Sequence, residues 1–183
     1  MSNTTTITAL KRDHDARHVE PSGKSARGAF IRAMRAAVTG VNVVTTDGPA
    51  GRLGLTVSAF SPVSAEPPMV LICINRRSPV RDAIVANEQF CVNVLSTEQR
   101  QLADTFSGQV AGGLPYDFAA GRWQQLATGA PALVAAVARF DCKLSAAIPA
   151  ASHTILIGRA VAVDGEGGQP LLYTNRDYGH PCR

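Results

Sequence analysis

The chain has 183 residues, of which 45% are hydrophobic and 17% are charged, proportions that exclude an intrinsically disordered protein. The formal net charge of +4 is carried by scattered arginines and lysines rather than by a basic cluster, which argues against a nucleic-acid-binding surface. No apolar run approaches the roughly 20 residues of a membrane-spanning helix, and the N-terminus lacks a signal-peptide pattern, so we expect a cytoplasmic protein without a membrane partner.

The chain begins with a polar, charged and aperiodic segment. Residues 1–27 are predicted to be a disordered leader, and residues 28–183 are predicted to form a single domain. Apolar residues at helical spacing from Phe30 to Val38 predict a helix, which Gly40 terminates.

A β-hairpin is predicted next, with strands at residues 41–47 and 53–60 joined by a turn at residues 48–51. Because the connecting turn is short, we expect the two strands to be antiparallel neighbours. After a break at Pro67 and Pro68, the apolar run at residues 69–74 predicts a strand with both faces covered.

Two short helices alternate with further strands. Ser78 as the N-cap and Pro79 as the first helical residue predict a helix that ends at Ala86. A strand at residues 90–95 and a second helix at residues 98–106 follow.

The last third of the chain is predicted to be mostly strand. Residues 108–129 are rich in loops, and strands are predicted at residues 133–148, 153–163 and 171–174. Many strands, few short helices and no repeating βα unit predict a mainly β fold, an antiparallel barrel or sandwich with peripheral helices.

The cysteine pattern favours neither disulfides nor a metal site. The four cysteines are Cys73, Cys91, Cys142 and Cys182, and their spacings do not suit zinc. The first three lie in apolar, strand-like runs, so we interpret them as reduced core residues.

Familiar nucleotide and hydrolase motifs are absent: the sequence has no P-loop, no GxGxxG fingerprint, no GxSxG elbow and no HExxH.

Two segments are candidates for a binding site. Thr56, Ser58 and Phe60 alternate onto one strand face, which can line a polar pocket or simply meet solvent. The segment from Asn75 to Arg81 joins a strand to a helix N-terminus. It can cradle a phosphate or be an ordinary capped helix with solvated arginines.

Two other residues stand near predicted element ends. His153 opens a strong strand, a position where a ligand can bind, although a lone histidine there is more often structural. Phe106 ends a helix before small residues that can admit a ring, although an aromatic residue at such a place usually belongs to the core.

The succession of segments carries more information than any one of them. The informative stretches are VNVVTTDGPAGRLGLTVSAFSPVSAEPPMVLICINRRSP, AIVANEQFCVNVLSTEQRQLADTFSG, SHTILIG and PLLY. In this order they resemble the flavin reductase family, which has the FMN-binding split-barrel fold and includes the reductase components of two-component flavin monooxygenases. The resemblance covers the chain from about Phe30 to Tyr178.

The resemblance implies an antiparallel Greek-key split β-barrel with a few short peripheral helices. It also implies a homodimer that binds FMN or FAD, takes electrons from NADH or NADPH, and holds no metal. The implied flavin-binding residues are Gly54, Leu55, Thr56, Val57, Ser58, Ala59, Cys73, Ile74, Asn75, Ser78, Pro79, Arg81, Phe106 and Ser107. His153 is the implied catalytic residue beside the nicotinamide, and Tyr173 adds to the place for that second cofactor.

The chain departs from the family pattern at two places. The family commonly has Gly-Asp-His where this sequence has Ala151, Ser152 and His153, so the histidine loses an acidic neighbour. Val80 stands where a hydroxyl residue is frequent, which removes one phosphate contact, and Arg81 can compensate.

The resulting hypothesis is an NAD(P)H:flavin oxidoreductase that supplies reduced flavin to a partner monooxygenase. The alternatives are a flavin-storage split barrel without turnover, an oxidase of the pyridoxamine-phosphate oxidase type, and a lipocalin-like carrier. The oxidase requires a second basic phosphate pocket, which the sequence does not locate, and the capped helices weigh against the carrier.

Overall fold

A computed structural model describes residues 23–110 and 112–182. Helix α1 spans Gly23–Ala36, so it begins before the predicted start at Phe30. The predicted disordered leader falls on residues 1–27, of which 1–22 lie outside the described residues and 23–27 are helical. All the strands and the remaining helices belong to a compact unit that begins at Arg35.

Twelve strands and two further helices make up the described part of this unit. The strands are β1 (Thr39–Gly40), β2 (Asn42–Thr46), β3 (Leu53–Val57), β4 (Phe60–Ala65), β5 (Pro68–Asn75), β6 (Gln89–Val94), β7 (Trp123–Gln125), β8 (Pro131–Leu133), β9 (Ala138–Ala150), β10 (His153–Asp164), β11 (Leu172–Thr174) and β12 (Asp177–Gly179). The helices are α2 (Pro79–Asn87) and α3 (Arg100–Ser107), with single 3-10 turns at Thr97–Gln99 and Phe118–Ala120.

Seven strands form one antiparallel sheet in the order β3-β2-β6-β9-β10-β5-β4. The predicted hairpin between β2 and β3 is confirmed, and β9 and β10 form a long hairpin in which Ala150 pairs with His153. Within the described residues β3 and β4 do not pair, so the sheet is not a closed barrel. The predicted mainly antiparallel β fold with a few short helices is confirmed.

The apolar faces of the strands meet in one core although they come from opposite ends of the sheet. Val57 of β3, Ile72 of β5 and Leu156 of β10 belong to the same buried cluster, together with Ile84 of α2. A strand buries alternate residues, so one face of each strand supplies this cluster. The sheet therefore curls around a shared interior, and burial of these side chains is its main stabilisation.

Several strand predictions need correction. The strand predicted at residues 53–60 is interrupted at Ser58 and Ala59, and β4 begins at Phe60. The backbone bends there because Ala59 accepts a hydrogen bond from the Cys73 amide of β5, at 3.1 Å, instead of continuing the β2 ladder. The strand predicted at residues 133–148 is interrupted at residues 134–137, between β8 and β9. Strands β1, β4, β7 and β12 were not predicted, and those of two or three residues are too short to show a period.

The outer face of β5 is not fully covered. Val70, Ile72 and Ile74 are buried, whereas Leu71 and Cys73 between them are only partly buried. The expectation that both faces of this strand are covered is therefore wrong for the isolated chain. The uncovered face is apolar.

The cysteines behave largely as predicted. All four are free, and Cys91 and Cys142 are fully buried, but Cys73 is only partly buried and does not belong to the core. Burial, and then the charge of Asp141, raises the pKa of Cys142 to about 12 and that of Cys91 further still. The two buried thiols therefore stay protonated and unreactive at neutral pH.

Among the described helices, none combines the length and the apolar character that crossing a bilayer requires.

Candidate functional site

A cavity of about 250 Å³ lies between β3, α3 and the β11–β12 hairpin. Five of the predicted site residues line it: Thr56, Val57, Ser58, Ser107 and Tyr173. The other lining residues are Val41, Arg100, Asp104, Gln109, Arg176, Asp177 and Tyr178. The cavity thus combines hydroxyls, charged groups and two tyrosines against one strand of the sheet.

Strand β3 is held close to α3 at two points. A Cβ atom on Gly54 would lie 2.7 Å from Cε1 of Phe106, so only glycine permits this approach of strand and helix. Two residues further on, the Thr56 hydroxyl donates to the carbonyl oxygen of Ala103 at 2.7 Å. These contacts fix the strand that forms the cavity wall.

Phe106 is a core residue rather than a ligand contact. Its side chain is 0% exposed and packs edge-on against Phe118 and Trp123, with ring centroids 5.0 and 5.6 Å apart. The prediction that Phe106 contacts the flavin is therefore corrected, because its ring presents no surface to a ligand. Phe106 instead packs its ring against β3 at Gly54.

The wall opposite β3 is built around Tyr178. Its hydroxyl donates to Oδ1 of Asp104 at 2.9 Å, and the guanidinium carbon of Arg100 lies 4.9 Å from its ring centroid. Asp177 accepts from Nη2 of Arg100 at 3.3 Å and from the backbone amide of Tyr178 at 2.8 Å. Burial, and next the hydrogen bond to Asp104, raises the pKa of Tyr178 well above its ordinary value, so the hydroxyl remains a donor.

Sequence reasoning missed most of this wall. Arg100, Asp104 and Ser107 follow the i, i+4, i+7 spacing of one helix face, which is the signal that relates them to each other. Their contact with Tyr178 has no such signal, because Asp104 and Tyr178 are 74 residues apart in sequence.

A second group of predicted residues surrounds the turn that leads from β5 into α2. The side-chain oxygen of Asn75 accepts from the Arg77 amide at 2.9 Å, and the Asn75 carbonyl accepts from the Ser78 amide at 3.0 Å. As predicted, Ser78 occupies the N-cap position and Pro79 the first turn. Among residues 23–110 and 112–182, the Ser78 hydroxyl makes no capping hydrogen bond, so it is available beside the first amides of the helix.

Arg81 adds an unused donor to this helix N-terminus. Its Nη1 lies 2.7 Å from Oδ1 of Asp82, and its Nη2 donates to the carbonyl oxygen of Arg76 at 3.4 Å. Its Nε is buried and has no hydrogen-bond partner in the described part of the chain. A buried donor without a partner is costly, and an anion at the helix N-terminus would satisfy it.

The two departures from the family pattern have clear structural counterparts. Val80 is 3% exposed and packs in the main core, so this position serves helix packing here. Where the family has an aspartate, the Ser152 hydroxyl lies 2.9 Å from Nδ1 of His153. Ser152 therefore keeps a hydrogen-bond partner beside the ring although the acidic group is lost.

His153 is exposed and stands next to the turn at the end of β5. In the ladder between β5 and β10 it pairs with Asn75, and the amide of Arg76 donates to the carbonyl oxygen of Ser152 at 3.0 Å. The predicted histidine and the predicted phosphate segment are thus neighbours at the paired ends of β10 and β5.

A backbone hydrogen bond links the cavity wall to this end of β5. Ala59 follows the wall residue Ser58, and its carbonyl oxygen accepts from the Cys73 amide, two residues before β5 ends at Asn75. The side chains of two residues predicted to contact the flavin lie in or against the core instead. Ile74 is 1% exposed, and Leu55 packs against the same buried cluster. Most predicted positions therefore lie in two adjoining groups, the cavity and the turn.

The fold is a small antiparallel β domain with a cavity against β3, and the N-terminus of α2 and His153 lie together at the paired ends of β5 and β10. A family model described as "Flavin reductase like domain" matches residues 34–181. The chain belongs to this flavin reductase family, as its sequence pattern predicts.

Individual relatives agree with the family match. The chain is 43% identical over 167 residues to "FMN reductase (NADH) RutF" of Variovorax paradoxus strain S110, covering 88% of this chain and 91% of the relative. The structure of the NADH:FAD oxidoreductase SgcE6 of Streptomyces globisporus C-1027, in complex with NAD and FAD fragments, is 26% identical with a TM-score of 0.78, covering 90% and 98%. The styrene monooxygenase flavin reductase SMOB of Pseudomonas putida S12 is 25% identical with a TM-score of 0.73, covering 84% and 98%.

Proposed function

We propose that this protein is a flavin reductase that uses NADH to reduce FMN or FAD and passes the reduced flavin to a partner monooxygenase. The observation that supports it best is the pairing of His153 with Asn75, which puts a candidate nicotinamide-binding group beside a candidate phosphate cradle. The name of the Variovorax relative favours NADH and FMN, and that of the Streptomyces relative favours NADH and FAD.

The residues present suit a flavin. The Ser78 hydroxyl, the first amides of α2 and the buried Nε of Arg81 would hold its phosphate. The backbone and hydroxyls of Thr56 and Ser58 would line its ring. Bound flavin supplies the acceptor for the hydride of a reduced nicotinamide, so the protein contributes orientation and polarity rather than the difficult chemistry.

In this arrangement His153 binds and orients the second cofactor. Its ring is exposed, and Ser152 is its hydrogen-bond partner, with no carboxylate bonded to it in the described residues. A general acid is not required for hydride transfer, so its role is positioning the nicotinamide.

His153→Ala is expected to raise the KM for NADH by about fivefold to twentyfold, the loss of one hydrogen bond of roughly 1–1.8 kcal/mol. FMN affinity should change much less, because the flavin phosphate cradle is on α2. Steady-state kinetics and fluorescence titration measure the two quantities. An unchanged KM for NADH would exclude this role.

One assay tests the activity itself. Purified protein is mixed with NADH and excess FMN or FAD under air, and the NADH absorbance is followed, with flavin-free and protein-free samples as controls. Flavin-dependent NADH oxidation is expected. Bound yellow flavin without oxidation would instead establish a storage protein, and neither binding nor oxidation would overturn the proposed function.

A homodimer would cover the apolar outer face of the sheet. Register places Cys73 beside Ile155 and Leu71 beside Ile157, and Ile155 in turn lies beside Ile148 of β9. Cys73, Leu71, Ile155 and Ile157 are partly buried, and Ile148 is 46% exposed. The apolar patch is therefore continuous across β5, β10 and β9. Contiguous apolar patches of this kind mark association surfaces, and we propose that a second copy of the chain covers this one.

Leu71→Arg is expected to convert the dimer to monomer, because it would bury a charge in the centre of this patch. Val85→Arg is the matched control, since Val85 is an exposed valine on α2, outside the patch. Light scattering coupled to size-exclusion chromatography gives the mass of each variant. A dimer that survives Leu71→Arg, or that is lost equally in Val85→Arg, would contradict this assignment of the interface.

Transfer to a monooxygenase is supported by the name of the Pseudomonas relative, which is a styrene monooxygenase flavin reductase. The cytoplasm is the proposed location, because NADH and free flavins are available there. Reduced flavin formed anaerobically by this protein should support substrate oxygenation by a flavin-dependent monooxygenase once that enzyme, its substrate and O2 are added to the same vessel.

A further inference from the structure

The formal net charge of the chain is concentrated in helix α1. Residues 1–22 contain three basic and three acidic residues, and residues 37–183 contain eleven of each. The 14 residues of α1 contain four basic residues and no acidic residue. Basic residues are scattered along the chain, but their excess of +4 over acidic residues therefore resides in this one helix.

Two of the basic side chains of α1, those of Arg27 and Arg32, are exposed. Within residues 23–110 and 112–182, neither of them forms an ion pair. Their charges are therefore available to an anionic surface. At low ionic strength such an attraction extends over about 10 Å or more, and added salt screens it.

Apolar side chains are exposed on the same helix. Phe30 and Met34 are 67% and 50% exposed, and Val38, just beyond the last residue of α1, is 60% exposed. Each follows the one before by four residues, a spacing that places helical side chains on one face. Ala33 and Ala37 are also exposed. These five residues form an apolar stripe, the α1 stripe.

A cationic helix with an exposed apolar stripe is typical of segments that lie in the surface of a bilayer. A helix that binds a protein groove instead anchors several large side chains in fitted pockets. The α1 stripe has only three side chains larger than alanine, and only one of them is aromatic. Phospholipid headgroups present diffuse negative charge, which attracts arginines without fixed carboxylate partners. The composition of the helix therefore favours a lipid surface over a protein groove.

We infer that α1 binds membrane surfaces that contain anionic phospholipids. Phe30, Met34 and Val38 enter the boundary between headgroups and acyl chains, and Arg27 and Arg32 stay among the headgroup phosphates. The expectation of no membrane partner considered only spanning helices and signal peptides, and a helix that lies in the surface is neither. The cytoplasmic leaflet carries anionic lipids, which agrees with a cytoplasmic reductase. The inference goes beyond the proposed function and does not depend on it.

Sedimentation with lipid vesicles tests the inference on the full chain. The vesicles contain phosphatidylcholine with about one third phosphatidylglycerol, and vesicles of pure phosphatidylcholine are the neutral comparison. At about 0.05 M NaCl the chain is expected to bind the anionic vesicles roughly tenfold more tightly than the neutral ones, or better. Raising the NaCl concentration to about 0.5 M should release most of the bound chain by screening.

Two variants separate the cationic and the apolar contributions. Arg27→Gln combined with Arg32→Gln is expected to weaken binding to the anionic vesicles about thirtyfold, and Phe30→Ser about tenfold. Arg122→Gln combined with Lys143→Gln is the matched control, because it removes the same charge from exposed residues outside α1. Its binding should change by about threefold or less, since these charges do not approach the surface.

Thermal unfolding shows that each variant is folded. Vesicle binding that is absent, equal for both kinds of vesicle, or reduced as much in the control would overturn the inference. If the unaltered chain does not bind vesicles and Phe30→Ser changes a dimer to a monomer in light scattering, the α1 stripe is covered by a second copy of the chain instead. Specific vesicle binding by a chain that never oxidises NADH would leave the inference standing and refute the proposed reductase.

Discussion

Ser78→Asp is expected to weaken FMN binding about a hundredfold or more while leaving the fold intact. Aspartate is as good an N-cap as serine, so α2 keeps its start and can gain stability. The added carboxylate would meet the flavin phosphate beside the first amides of α2, and like charges in contact cost several kcal/mol. Fluorescence titration with FMN and thermal unfolding measure the two effects separately.

Riboflavin is the matched control ligand because it carries the same ring without a phosphate. Its affinity should be nearly equal in the Ser78→Asp variant and the unaltered chain. Ser78→Ala, which removes one hydroxyl and adds no charge, should weaken FMN only several-fold. If Ser78→Asp binds FMN normally, or loses riboflavin to the same degree, the phosphate does not lie at the N-terminus of α2.

Gly158→Ala is expected to lower the free energy of unfolding by about 3 kcal/mol, the upper end of the usual cost of overpacking. A Cβ atom at this position would lie 2.5 Å from Cζ of Phe90 and 2.8 Å from Cβ of Cys142. Both neighbours are fully buried, so neither can move aside. The corresponding fall in Tm is about 6–12 °C for a domain of this size, measured by calorimetry.

Gly40→Ala is the comparison for this variant. Gly40 is also a strand residue, but nothing lies within 4 Å of a Cβ atom placed on it, so its Tm should change by only a degree or two. Equal Tm values for the two variants would show that β10 does not approach β6 and β9 as closely as described.

The sequence predicts most elements because their signals are local. The run of β-branched residues in β2, the alternation in β3, the Ser78-Pro79 start of α2 and the long strands β9 and β10 all depend on residues close together in the chain. The break at Ser58 and Ala59 was missed because its cause is a bond to Cys73 on another strand. Local patterns do not report such tertiary contacts.

The same distinction applies to the candidate site. Turn and cap chemistry predicted the strand-to-helix turn from Asn75 to Ser78, and the family resemblance then implied that this turn holds a phosphate. Phe106 was assigned to the ligand although Gly54 makes it part of the core, and this follows only from how closely β3 and α3 approach. The wall formed by Tyr178 and Asp104 joins a late hairpin to an earlier helix, so no spacing rule relates the two residues.

The hairpin that completes the cavity lies outside the main sheet. It belongs to a three-stranded sheet in which β1 has two residues and β11 and β12 have three each, apart from the seven-stranded sheet. We expect such a small sheet to open at a lower free energy than the main core. Entry and exit of a bound molecule therefore need not disturb the interior, and a ligand that bridges the hairpin and β3 stabilises the closed form by its own binding energy.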